Sequence, residues 1–75
     1  MGKDRPLYIG VDVGGTKILA AAATETGAVV AREKQPTPRR APMDKVIEAI
    51  LATIDALLDK KRVRRGEVQS IGVAI

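Results

Sequence analysis

Three features of the chain predict an α/β fold with one helix covering a sheet. Leu7–Val13 alternates apolar and polar residues at period two. Met43–Lys60 carries apolar residues at three- and four-residue spacing, the signature of an amphipathic helix. A second alternating run, Gln69–Ile75, follows that helix. Strand, helix and strand in one sheet close as a right-handed crossover, so the first and last strands are expected to be parallel neighbours. At 75 residues the chain makes at most one small domain, near the size where a core only just suffices.

In the first strand, Leu7, Ile9, Val11 and Val13 share one face, and Tyr8, Gly10 and Asp12 the other. Asp12 is out of place there. Aspartate is depleted in strands and a buried unpaired carboxylate is costly, so it is expected to face a cleft, a cation or a donor. Gly10, two residues back on the same face, leaves room for something to approach. Gly14-Gly15-Thr16 follows, a turn offering amides and one hydroxyl. A carboxylate can hold Mg²⁺ directly or through water, while backbone N–H groups take phosphate oxygens. The same residues also make an ordinary hairpin turn in which Asp12 merely accepts hydrogen bonds. The chemistry leaves both readings open. Known nucleotide patterns do not decide, because Gly10–Lys17 has the Thr and Lys of a P-loop in swapped order and is not GxGxxG.

Lys17–Thr24, KILAAAAT, pits propensity against length. Alanine favours a helix, which would put a phosphate at a helix N-terminus. Only about nine residues separate Gly15 from the next turn, however, and a parallel crossover needs a dozen or more. Thr24-Glu25-Thr26-Gly27 is a turn, with Gly27 free to take positive φ. Ala28–Gln35 reads as a third strand whose Arg32, Glu33 and Lys34, followed by Pro36, suit a sheet edge. Pro36, Pro38 and Pro42 frame a stiff, extended connector.

The helix Met43–Lys60 is about 27 Å long at 1.5 Å per residue. Its stripe of Val46, Ile47, Ile50, Leu51, Ile54, Leu57 and Leu58 is expected to be core. Pro42 suits its first turn, Asp44 its positive end, and Lys60, Lys61 and Arg62 its negative end. Arg62–Val68 returns the chain through Gly66. In the last strand Ile71, Val73 and Ile75 face one way, and Ser70, Gly72 and Ala74 the other.

Composition excludes several functions. With no Cys or His, the chain cannot build a disulfide, a Cys/His zinc site or a His-based triad. Net charge is +4, gathered in Arg39-Arg40 and in Lys60-Lys61-Arg62 with Arg64-Arg65. Basic clusters can bind nucleic acid. The second, however, follows a helix, where cations complement the dipole and stay solvated. Tyr8 is the single aromatic residue, which argues against stacking on single-stranded nucleic acid. No apolar segment precedes the first strand and no stretch is long enough to span a membrane, so the expected setting is cytoplasmic.

The run IGVDVGGTKILAAAATETGAVVAREKQPTP resembles the N-terminus of the ROK family (repressor, open reading frame, kinase). That family includes bacterial glucokinases and N-acetyl-hexosamine kinases, within the actin–hexokinase superfamily. The resemblance extends over nearly the whole chain: the DVGGTK core, the TETG turn, the PTP segment, the amphipathic helix and the closing IGVAI. It implies an RNase H-like (actin/hexokinase-like ATPase) N-terminal half-lobe, a mixed sheet in strand order 3-2-1-4 in which Lys17–Thr24 is a second, antiparallel strand. DVGGTK would be the first phosphate motif of a sugar kinase. Asp12 would position Mg²⁺, and Gly14, Gly15 and Thr16 would contact the phosphates of ATP. Lys17 completes the motif and is counted with them as cofactor-binding. The activity implied is ATP-dependent phosphorylation of a hexose or N-acetyl-hexosamine by a larger parent protein. Glucose, mannose, fructose, N-acetylmannosamine and N-acetylglucosamine are not distinguished.

No catalytic residue is assigned within residues 1–75, which read as part of the nucleotide-binding lobe. The family's catalytic base, sugar-binding residues, adenine pocket and zinc motif belong to other parts of the sequence. The connector lies near the sugar side in such kinases, but no ligand contact is assigned to it. The parent is expected to be a homo-oligomer with small-molecule partners, sugar and ATP, and neither membrane nor nucleic acid. Because an apolar strand closes the chain, a fragment is the expected reading, inactive in isolation. Alternatives from other classes are a ROK-type transcriptional repressor, another ATPase of the superfamily such as a dehydratase activator, and a small basic nucleic-acid-binding module. A repressor needs a helix-turn-helix before Leu7, where six residues stand. The activators carry Gly-Ser-Thr where this chain has Gly14-Gly15-Thr16-Lys17. Binding that weakens with salt would reveal the basic module.

Overall fold

A computed structural model describes residues 6–60 and 68–74. The described elements are β1 (Leu7–Val13), β2 (Lys17–Thr24), β3 (Val29–Pro36), α1 (Met43–Lys60) and β4 (Val68–Ala74). They form a four-stranded sheet in order β3-β2-β1-β4. β1 pairs antiparallel with β2 and parallel with β4, while β2 pairs antiparallel with β3. The alanine-rich segment is therefore a strand. Its helix propensity, a few tenths of a kcal/mol per residue in magnitude, yields to a ladder closed on both sides.

The alanines show why a strand serves here. Ala20, Ala22 and Ala31 are buried beneath α1, and their small side chains let Ile50, Ile54, Leu57 and Leu58 descend onto the sheet. Ile9, Val11 and Ile18 complete this core. Thr53 is buried too, and its hydroxyl donates to Ala49 O at 2.7 Å, so this buried polar group is satisfied. α1 starts where expected, with the Pro42 carbonyl accepting from Lys45 N–H and Val46 N–H. It ends with Lys60 Nζ bound to Glu33 Oε1 (3.2 Å) and Arg32 O (3.1 Å), which ties the helix to the edge strand.

Several expectations need correction. β3 starts one residue later than expected and includes Pro36, and β4 begins at Val68. β3 also bulges, since Ala22 faces Ala31 while Ala23 faces Val29. The connector turns at Arg39-Arg40, with Arg40 at φ 53°, rather than running extended throughout. The apolar stripe of α1 is only partly core. Ile47 and Leu51 are 48% and 56% exposed, because the helix lies over β3 and β2 and barely reaches β1. Ile71 and Val73 pair with Ile9 and Val11 and so share their face, yet both stay half exposed for the same reason. Lys61, Arg62, Arg64, Arg65, the return through Gly66, and Ile75 lie outside the described residues.

Candidate functional site

β1 delivers Asp12 to the face of the sheet opposite α1, one residue before the strand ends. Period two puts Val11 in the core and Asp12 in the open, so the same alternation that builds the core exposes the carboxylate. Asp12 makes no hydrogen bond or ion pair with any described residue. It does not accept from the Gly14–Thr16 turn, so nothing in the hairpin requires an aspartate here.

Asp12 borders a shallow hollow of about 580 Å³ on that face. Gly10, Ala21 and Gly72 form its floor, in register across three strands, and Arg32 on β3 stands at its rim. A Cβ built on Gly10 or Gly72 would meet nothing within 4 Å, so their lack of side chains deepens the hollow rather than relieving a clash. Sequence reasoning missed Arg32. The signal was there, because the alternation about buried Ala31 sends Arg32 to the face of Asp12.

The turn itself divides its polar groups. Gly14 N–H donates to Lys17 O at 2.9 Å and closes the hairpin. The N–H groups of Gly15 and Thr16 and the Thr16 hydroxyl have no partner among the described residues. Gly15 is exposed, a Cβ there would meet nothing within 4 Å, and neither Gly14 nor Gly15 has positive φ. The need for glycine is thus not conformational. Positive φ among the described glycines occurs at Gly27 (91°), in the TETG turn, where Gly27 N–H donates to Thr24 O. Lys17 is exposed and leaves β2 on the Asp12 side, opposite buried Ile18.

Thr37 was assigned no role in the sequence reading, yet it touches this turn twice. Its N–H donates to Thr16 O at 3.1 Å and its hydroxyl to Gly14 O at 2.9 Å.

The residues present fit a magnesium–nucleotide group. Mg²⁺ keeps several waters and takes one or two carboxylates beside substrate phosphates, so a lone, unengaged Asp12 is adequate. Two unpartnered amides and a hydroxyl offer donors to phosphate oxygens. Among the described residues no cluster of three or more His, Cys, Asp or Glu could hold a metal by itself. No helix among them is long and apolar enough to cross a membrane.

A ROK family model matches residues 8–75. Among solved structures, the chain is similar to a ROK family glucokinase from Streptomyces griseus, seen in complex with glucose and AMPPNP, with 32% sequence identity and a TM-score of 0.73. The similarity covers 91% of this chain and 20% of the glucokinase, so the chain spans about a fifth of that protein's length. No curated protein matches it.

Proposed function

The chain belongs to the ROK family, and on that premise we propose that it is the first part of the nucleotide-binding lobe of a sugar kinase. Its sheet and helix have the actin/hexokinase-like arrangement of the glucokinase it resembles. The reaction proposed is transfer of the γ-phosphoryl group of ATP to a hydroxyl of a hexose or N-acetyl-hexosamine.

One observation carries this reading. At the end of β1 an exposed carboxylate, Asp12, is followed within four residues by the Gly15 and Thr16 amides and the Thr16 hydroxyl, none of them partnered among the described residues. Exposed and unengaged by the described residues, these groups are available to a ligand. In phosphoryl transfer the protein's part is mostly positioning and charge neutralisation. Gly15 N–H, Thr16 N–H and the Thr16 hydroxyl would orient phosphate oxygens, with Lys17 adding positive charge nearby. Asp12 would hold Mg²⁺ directly or through water, and the ion would neutralise charge on the phosphates. The glucose and AMPPNP of the glucokinase support the two substrate classes.

Cytoplasmic location, a homo-oligomeric parent and the absence of nucleic-acid and membrane partners belong to the same proposal. The ROK match favours it over an ATPase from another branch of the superfamily. The test is a coupled assay of ADP release by the full-length protein over a panel of hexoses and N-acetyl-hexosamines. Sugar-dependent ADP release is expected, while Mg·ATP binding without turnover on any sugar would overturn the kinase reading.

A further inference from the structure

The last hydrogen-bonded step between β2 and β3 has an awkward partner. Lys17 faces Pro36, and proline has no N–H to give. The next donor along the chain is Thr37, and it bonds beyond the ladder into the glycine turn. Its N–H meets Thr16 O and its hydroxyl meets Gly14 O, so the carbonyls of the two residues on either side of Gly15 are held by one residue.

The consequence follows from the peptide plane. In a planar trans peptide, C=O and N–H point in opposite directions. The Gly14 carbonyl shares its plane with the Gly15 N–H. A hydroxyl that holds Gly14 O therefore aims the Gly15 N–H away from β3, toward the side where that amide meets no partner among the described residues. With little steric constraint around Gly15, where a Cβ would meet nothing within 4 Å, this tether does what packing does not.

We propose that Thr37 is a positioning residue that fixes the Gly15 amide for nucleotide phosphate, an inference that rests on the kinase reading above. Fixing a donor beforehand spares the ordering cost at binding. Thr37 itself touches no phosphate.

The test compares Thr37→Val, Thr37→Ala and Thr37→Ser in the full-length protein. Valine keeps the shape and the backbone N–H and loses the hydroxyl; serine keeps the hydroxyl. In the nucleotide-free protein, hydrogen exchange of the bonded Gly14 and Thr37 amides should quicken in the valine and alanine variants and stay near wild type in the serine variant. By calorimetry and kinetics, Kd and KM for Mg·ATP should rise about fivefold to tenfold, the scale of one hydrogen bond. The sugar KM should stay within about twofold and serine should restore both. If Thr37→Val fails to fold, Thr37→Ala carries the same readouts. Unchanged ATP affinity without the hydroxyl overturns the tether, as does a rise in sugar KM alone, which would put Thr37 against the sugar. Wild-type protein that binds no Mg·ATP overturns the phosphate reading itself, and the tether's purpose with it.

Discussion

The Asp12 carboxylate makes no hydrogen bond or ion pair with the described residues, so its replacement separates chemistry from stability. In the full-length protein, Asp12→Asn should lower kcat by about a hundredfold or more, the scale of losing one preorganised charge-stabilising group. Melting temperature and sugar KM should barely change, and unchanged turnover would falsify the metal role. Gly15 makes a complementary case. A side chain there meets open space and no positive φ forbids it, so Gly15→Val should leave the melting temperature almost intact. It should raise the ATP KM or abolish activity, because the branched side chain occupies the space through which phosphate reaches the amides. Collapse of stability before loss of ATP binding would favour a plain hairpin.

At the scale of elements, α1 holds the sheet through one half of its stripe. Leu57 is fully buried against the alanines of β2 and β3, whereas Leu51 lies mostly in the open. Leu57→Ala should cost about 2–5 kcal/mol in urea unfolding of the full-length protein, provided the lobe unfolds as one unit. The tie from Lys60 to Glu33 is weaker. Glu33 is half-buried and also accepts from Gln35 Nε2 at 2.9 Å, but the Lys60 side chain is 57% exposed. Lys60→Met should therefore cost no more than about 1 kcal/mol, and a larger loss would show that anchoring the helix end to the edge strand governs the packing.

Over the whole molecule, apolar surface is left open beside β4. Ile47 and Leu51 share a shoulder of α1 with Leu58, and Leu58 borders a hollow of about 410 Å³ with Val68 and Ile71. Val73 continues that surface along the strand. Open apolar area of this kind favours association. A preparation of the 75-residue chain alone should be marginally stable or aggregation-prone, with Mg·ATP affinity no better than about millimolar. It should release no ADP with any hexose, since near-attack geometry requires nucleotide, sugar and base held together. Calorimetry and the coupled assay on the isolated chain check this. Sugar-dependent release would mean that residues assigned here to scaffold complete an active site.

The sequence by itself determined the helix and the faces of β1. Alternation in Leu7–Val13 exposes Asp12, because a strand's period admits no other side once Ile9 and Val11 are buried. The parallel pairing of β1 with β4 was legible as well, from one crossover helix. Tertiary structure decided the rest. KILAAAAT is a strand because neighbours complete its ladder on both sides, which no local propensity encodes. The core half of the α1 stripe was chosen by where the helix lies on the sheet, so Ile50 is buried and Ile47 is not, although both fit the pattern. Thr37 owes its place at the glycine turn to pairing across 23 residues of sequence. Such contacts depend on register and strand order together, and a periodic pattern specifies each strand's faces without saying which atoms meet at its end.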